Sequence, residues 1–471
     1  MPKSWSSRYL KGKNRQQRQW NLLCAKRFSP GNNPRVPVRK VVSMRPLTLF
    51  LFLILIIPGW GFQGFQGFLY PEEPLRFQQA VTLALERNHQ VAIARNNAVI
   101  ARNNVNVGNA NLLPEVGLSA GSTYLDDSAA ALTTTDAQVQ VTYTLFDGLG
   151  NFYRYKRLQV EGELGELEAR QAIETTLLQV SAAFYAAAAA YENLQIAQEL
   201  LSISQERLNR AKKRSAYGQA GTIDVLAAQV DYSADQVTVA QATFLWDETR
   251  RSLNVLLNRP VNQPFTIDTR VEFRQGFDPE QLKTAAFSHN AAYLAAERQL
   301  TQSHYDLEIA RSQFFPRLDF SSSYGFNRSA AGLHIGLNRA EPALRLGATL
   351  SVNLFDGFKR KIESRNAKAR ETNRQLALAE ARLNLEKEVT SVYESYRNSL
   401  LVMDLEQKYL EAAELNFKRT RELYSLGQVT TTQFREAQLN LIRSRGNVAT
   451  ARYEARLKEI ELLRLTGQLI H

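Results

Sequence analysis

Five histidines, His89, His289, His304, His334 and His471, are scattered along the 471 residues, and none stands within helical reach of another. His-Glu-x-x-His is absent, as are phosphate-loop and dinucleotide fingerprints. The single cysteine, Cys24, excludes a disulfide framework and a Cys-rich zinc site. The chain is therefore read as no enzyme, with no cofactor and no resident metal. Residues of chemical interest recur instead in pairs. Asp147-Gly148 and Asp356-Gly357 close two copies of Leu-Phe-Asp-Gly, and Gly218-Gln219 and Gly427-Gln428 lie in two short polar turns. Such pairs shape backbone rather than react.

The formal net charge of +12 points at first to nucleic acid or an anionic membrane. Its distribution removes that reading. Lys3, Arg8, Lys11, Lys13, Arg15, Arg18, Lys26, Arg27, Arg35, Arg39, Lys40 and Arg45 precede the first acid, Glu72. Taking these twelve from the 58 basic residues leaves 46 against 46 acidic ones. The apolar run Leu47–Ile57 follows Met44-Arg45 and is shorter than the roughly 20 residues of a transmembrane helix. A positive flank, a short apolar core and small Gly59 and Gly61 read as a signal peptide over 44–61, cut after Gly61. Residues 1–43 are then either a long basic leader or the result of a start assigned upstream of Met44, and the Met44 start is favoured. Residues 62–74 form a linker.

The remainder repeats itself. An offset of 209 relates Leu145–Gly148 to Leu354–Gly357, Gly218-Gln219 to Gly427-Gln428, Thr222 to Thr431, and Ala228-Gln229 to Ala437-Gln438. Upstream, Asn88 pairs with Asn290 and Pro114 with Pro316 at an offset of 202, so the second copy gains seven residues between Pro316 and Leu354. Repeat 1 is placed at 75–260, a connector at 261–278 and repeat 2 at 279–469. A unit this long means duplication of a structural half rather than a solenoid.

Each half has the same expected order. Helical periodicity runs over 76–110 and 279–312, ended by Pro114 and Pro316. The period then becomes two, in β-hairpins at about 114–147 and 316–356. Val116, Leu118 and Ala120 alternate with Gly117, Ser119 and Gly121, and Leu344, Leu346, Ala348 and Leu350 alternate with Arg345, Gly347, Thr349 and Ser351. Strands of roughly 9–11 residues with one apolar face fit a membrane barrel or a sheet lying on a core. Polar loops are expected at Asp126-Asp127-Ser128, Thr133-Thr134-Thr135 and Asn327-Arg328-Ser329. Proline-free stretches at 151–217 and 360–426 follow. Ile173, Leu177, Val180, Phe184, Ala187, Tyr191, Leu194, Leu201 and Leu208 there keep heptad spacing. Each ends at a glycine turn, where Thr222 and Thr431 are expected to cap return helices over 223–257 and 432–465. Four strands in lipid would leave open edges, so strands that meet lipid require a barrel shared between chains.

On the Leu75–Asn88 opening, the paired Leu-Phe-Asp-Gly motifs and the two tips, the chain resembles the outer-membrane efflux protein family, the TolC-like channel-tunnels. The tips lead into Asp224-Val225-Leu226-Ala227-Ala228-Gln229 and Gln433-Phe434-Arg435-Glu436-Ala437-Gln438. The resemblance covers about 75–469. It implies a mainly α fold with membrane β, in which three chains of four strands share one barrel over an α-helical tunnel. It also implies a homotrimer in the Gram-negative outer membrane with its tunnel in the periplasm. The partners would be a periplasmic adaptor, an inner-membrane pump and outer-membrane lipid, with no nucleic acid. The role would be passive conduction in multidrug or small-molecule efflux or in type I secretion. By position Tyr424 and Asp224 match gate residues of the family. Val429 stands where a gate arginine would fall and Gln433 where an aspartate would fall, while Glu436 keeps an acid nearby. Asp224 fits equally a first-turn acid favoured by the helix dipole. Gly218, Gly221, Thr222, Gly427, Gln428 and Thr431 match adaptor-docking tips, and the glycines serve turn geometry as well. Asp147, Gly148, Asp356 and Gly357 mark the strand-to-helix junctions. A periplasmic coiled-coil adaptor or a coiled-coil scaffold is the alternative, and neither needs two complete copies with alternating strands.

Overall fold

The computed structural model describes residues 74–127, 130–219, 221–274, 276–338 and 340–469. The expected leader, the signal peptide and the linker up to residue 73, with Cys24 and Met44, lie outside the described residues. Among those described, the order is α1 (Phe77–Arg87), α2 (His89–Asn103), β1 (Glu115–Asp127), β2 (Ala130–Phe146), α3 (Gly150–Ala216) and α4 (Thr222–Leu256). It repeats as α5 (Pro279–His289), α6 (Ala291–Ser312), β3 (Arg317–Ala331), β4 (Glu341–Ser351), α7 (Lys359–Ser425) and α8 (Thr431–Leu465). None of the described helices is long and apolar enough to cross a membrane.

The helical stretch expected over 76–110 is two helices, because Asn88 breaks it. The Asn88 side chain accepts from the Gln90 and Val91 N–H groups, capping α2, and donates to the Leu256 carbonyl at 2.7 Å. Asn290 repeats this, accepting from the Tyr293 N–H and donating to the Leu465 carbonyl at 3.1 Å. One amide thus starts a helix and ties it to the end of the return helix. Pro114 does not end α2. Asparagines do, since their side chains compete with the backbone for hydrogen bonds. Asn106 donates to the Asn103 carbonyl and accepts from the Asn109 N–H, and Asn111 takes a positive φ of 58°.

The long helices α3 and α7 have 67 residues each, about 100 Å of rise. Along α3 the heptad residues Leu177, Val180, Phe184, Ala187, Leu194 and Leu208 are buried. Of these, Val180, Phe184, Ala187 and Leu194 enter a core that also holds Leu75, Tyr185, Trp246, Leu253, Leu257, Phe265 and Tyr453. Both long helices end in Schellman motifs, in which glycine takes the left-handed conformation that a side chain disfavours. Gly218 has φ 70°, with the Gln219 N–H on the Arg214 carbonyl at 2.8 Å. Gly427 has φ 73°, with the Gln428 N–H on the Leu423 carbonyl at 2.9 Å.

The caps that restart the helices differ from expectation. Thr222 and Thr431 are the first helical residues, and the N-caps are Gly221 and Thr430. Thr430 Oγ1 accepts from the Gln433 N–H, and Gln433 Oε1 accepts from the Thr430 N–H at 2.9 Å. This reciprocal box gives Gln433 a capping role. The first hairpin has no side-chain cap at this place.

The four strands form one antiparallel sheet in chain order. They have 13, 17, 15 and 11 residues, three of them longer than expected. Asp126, Asp127, Thr133–Thr135 and Asn327–Ser329 lie inside strands rather than loops, and Ser128 lies outside the described residues. Threonine suits a pleated strand, and hydroxyl pairs across strands hold it there. Ser122 meets Thr135 at 2.9 Å and Thr134 meets Ser329 at 3.4 Å. The seven extra residues of repeat 2 fall in the β3–β4 connection.

Gly218→Ala and Gly427→Ala should each cost about 1–2 kcal/mol at the tip, because both force a side chain into left-handed backbone. Gly221 has an ordinary φ, and nothing lies within 4 Å of the place a Cβ would take, so Gly221→Ala should cost only the preference for Gly over Ala at an N-cap, about 0.5 kcal/mol. Amide exchange at Gln219 and Gln428 should accelerate in the first two variants alone.

Candidate functional site

Residues directly opposite in an antiparallel sheet point to the same face, so the register assigns every strand side chain. One face carries the rows Leu118–Val139–Tyr324–Leu344, Val116–Val141–Ser322–Leu346 and Tyr143–Phe320–Ala348. Its large residues are open to the surroundings: Val116 is 66% exposed, Leu118 79%, Leu344 62% and Leu346 67%. The sheet does not lie on a core of its own chain. A Leu or Val left in water forgoes about 1.5–3 kcal/mol of burial, so a row of them demands an apolar solvent. The opposite face carries Ser119–Gln138–Gly325–Ala343, Gly117–Gln140–Ser323–Arg345, Thr144–Asp319–Thr349 and Asp136–Asn327–Glu341. That is a polar, small-residue wall suited to water. A bulge at Leu145 returns Phe146 to the apolar face opposite Leu318.

Below the sheet, the two Leu-Phe-Asp-Gly motifs turn strand into helix. Gly148 and Leu149, and likewise Gly357 and Phe358, adopt positive φ in succession. The Asp147 carboxylate accepts from the Asn151 N–H at 2.8 Å. Asp356 accepts from the Arg360 N–H at 3.1 Å and from its guanidinium at 2.8 Å. Each carboxylate therefore sits at the positive end of a long helix. Partial desolvation of Asp356 opposes ionisation, but the Arg360 hydrogen bonds and charge outweigh it and hold the carboxyl below its usual range. Phe146, Phe152, Phe314, Phe315, Phe355 and Phe358 are exposed around this level. Exposed aromatics next to strand ends are the residue type found where a barrel leaves the bilayer.

At the far end lie Tyr424 and Asp224, the two positions matched to the family's gate. Tyr424 stacks on Phe434 with ring centroids 4.6 Å apart, in a cluster with Phe417, Ala437 and Leu441. Asp224 and Glu436 are exposed, and neither enters an ion pair among the described residues. Val429 is half-buried and Gln433 is occupied by its capping box. Gly218, Gly221, Thr222, Gly427 and Gln428 are exposed at the tips, with Thr431 half-buried beside them.

The strongest polar feature near the tip was missed by the sequence reading. Arg435 of α8 donates to both oxygens of Asp235 on α4, at 2.6 and 2.8 Å, and lies 3.8 Å from Asp231. Arg207 of α3 pairs with Asp231, and Ser204 donates to Asp235. The Arg207 and Asp235 side chains are each only 3% exposed. Burial first, and the neighbouring Arg435 second, lower the Arg207 pKa. Arg207 Nε and Nη1 and the Gln438 amide nitrogen are buried without a partner. Two arginines and two aspartates thus join three helices and tie the second hairpin to the first. A signal for them exists, since they break the repeat: at offset 209 Leu226 stands in place of Arg435 and Ser444 in place of Asp235.

The outer membrane efflux protein family matches the chain over residues 80–259 and 284–468. The probable outer membrane lipoprotein SilC of Salmonella typhimurium is 22% identical over 396 residues, covering 82% of this chain and 84% of its own. The cation efflux system protein CusC of Escherichia coli strain K12 is 20% identical over 392 residues, covering 82% of this chain and 85% of its own. The Campylobacter jejuni CmeC outer membrane channel superposes with a TM-score of 0.72 at 15% identity, covering 83% of this chain and 86% of that one. With both repeats matched in order, and with a duplicated sheet-and-hairpin fold shared with solved channels, this chain belongs to the outer membrane efflux protein family.

Proposed function

We propose that the protein is a passive efflux duct, a homotrimer whose twelve strands form one outer-membrane barrel above a helical tunnel in the periplasm. The observation that carries this reading is the four-strand apolar face, exposed on its own chain and backed by a polar one. Lipid covers the first and water fills the second. The long hairpins extend the passage toward an inner-membrane pump. The exposed tips around Gly218, Gly221, Thr222, Gly427, Gln428 and Thr431 meet a periplasmic adaptor. The pump supplies the energy and selects the cargo.

The tunnel entrance is held shut near the tips. Moving α7 and α8 away from α3 and α4 separates Arg435 from Asp235, so opening must break a bidentate ion pair. Tyr424, seated on Phe434, moves with this hairpin. Asp224 and Glu436 face outward, where they serve contacts with neighbouring copies.

Purified protein in planar bilayers should give discrete single-channel currents, and a clean preparation that never conducts would contradict the duct. Asp235→Ala should raise conductance or open probability by releasing the second hairpin. Asp224→Ala combined with Tyr424→Phe should do so as well. Unchanged currents in either variant would remove those residues from the gate.

A further inference from the structure

The two β-hairpins carry opposite charge at equivalent places on the polar face. From Glu115 to Phe146 the first contains no Lys or Arg, and the charges on its polar face are Glu115, Asp127 and Asp136. The offsets of 202 and 209 that relate the repeats set Arg317 in the place of Glu115 and Arg345 in the place of Asp136. Both arginines lie on the polar face, opposite Ser351 and Ser323. Asp136 and Arg345 each stand eleven residues before the aspartate of a Leu-Phe-Asp-Gly motif. They are therefore equally far along the chain from the strand-to-helix junction.

The arginines differ in their surroundings. Arg317 pairs with Asp319 at 2.8 Å, and Asp319 also accepts from Thr144 at 2.8 Å, so this charge is answered on its own wall. Arg345 is exposed and makes no ion pair or side-chain hydrogen bond among the described residues. Around it on the polar face stand Ala343 and Gly347 along β4 and Ser323 across on β3, all small and uncharged. Asp136, half-buried between Gly121 and Asn327, has no such partner either. Asp136 and Arg345 are two strands and four register steps apart, roughly 16 Å at ~3.3 Å per residue and ~4.8 Å between strands. That exceeds the Debye length of about 8 Å at physiological salt, so neither cancels the other's field on a wall that faces water.

We infer that Asp136 and Arg345 are specificity-determining residues of the barrel lumen and act in opposite senses. Asp136 favours cations, and Arg345 favours anions. This inference rests on the duct reading and names the solutes that the duct admits. Three copies place an acidic sector and a basic sector alternately around one wall. Such a wall offers a counter-charge to solutes of either sign, where a ring of one sign would repel half of them. Glu341 adds an acid on β4, ~13 Å from Arg345 at ~3.3 Å per residue and nearer the β3–β4 connection. Arg345 is thus the one cation on the described polar face that no carboxylate of its own chain neutralises.

Reversal potentials of the full chain in planar bilayers, under a gradient of potassium chloride, test the assignment. Arg345→Gln should shift the reversal potential toward potassium preference and Asp136→Asn toward chloride preference. The double variant should return close to the wild-type value. Arg345→Cys, with Cys24→Ser, gives a second reading. A cationic methanethiosulfonate should restore the wild-type potential, and an anionic one should drive it further toward potassium. Normal currents with an unmoved reversal potential in both single variants, or with shifts of one sign in both, overturn the assignment and leave the duct standing. So does a cysteine at 345 that neither reagent modifies in a conducting channel. A wild-type preparation that never conducts overturns the duct itself, and the assignment with it.

Discussion

Everything above and below the membrane depends on one constraint: backbone hydrogen-bonding groups in hydrocarbon must be paired. An unpaired group there costs several kcal/mol, and an edge strand presents a row of them. The apolar face of this sheet requires lipid, yet four strands in chain order leave β1 and β4 each with one unpaired side. The only economical solution is closure through identical copies, since cyclic assembly removes both edges at once. The polar face then becomes the wall of a shared lumen. The long hairpins below follow, because each strand pair hands its direction to a helix through the Asp-Gly turns at Asp147 and Asp356.

The two repeats have the same frame and different surfaces. Asn88 and Asn290 perform the same tie, the long helices have equal length, and the hairpins share a register. Where the halves must differ, their side chains do. Repeat 1 packs its long helix into the main aromatic core, with Phe184, Tyr185 and Trp246, whereas α7 leaves Leu376, Leu383, Leu401 and Leu405 exposed. The tip network is built on substitutions that break the symmetry, with Arg435 and Asp235 facing each other across two helices. Duplication thus supplied the scaffold, and divergence set buried ion pairs beside the apolar clusters that join the two hairpins.

Much of this was legible in the sequence, for physical reasons. Heptad spacing without proline over more than sixty residues leaves little besides a long helix, and alternation with turn residues leaves little besides a hairpin. Paired glycines named both helix ends because only a positive φ makes those turns. The rest depended on tertiary detail. Threonines 133–135 are as natural in a strand as in a loop, and their hydroxyl partners on β1 and β3 decide the matter. The two tips differ in capping because the N-cap position holds Gly221 in the first and Thr430, with Gln433 three residues on, in the second. The Arg207–Asp231–Asp235–Arg435 network joins residues more than two hundred positions apart, which no local pattern reveals. The resemblance directed attention to Tyr424 and Asp224, of which the fold seats the first on Phe434 and leaves the second exposed.

The central claim is that one chain holds a third of a closed barrel. Native mass spectrometry of the protein released from outer membranes in mild detergent tests it most directly. The account predicts a particle of three chains that survives gentle activation. A particle of a single chain that still inserts into bilayers and conducts would contradict it.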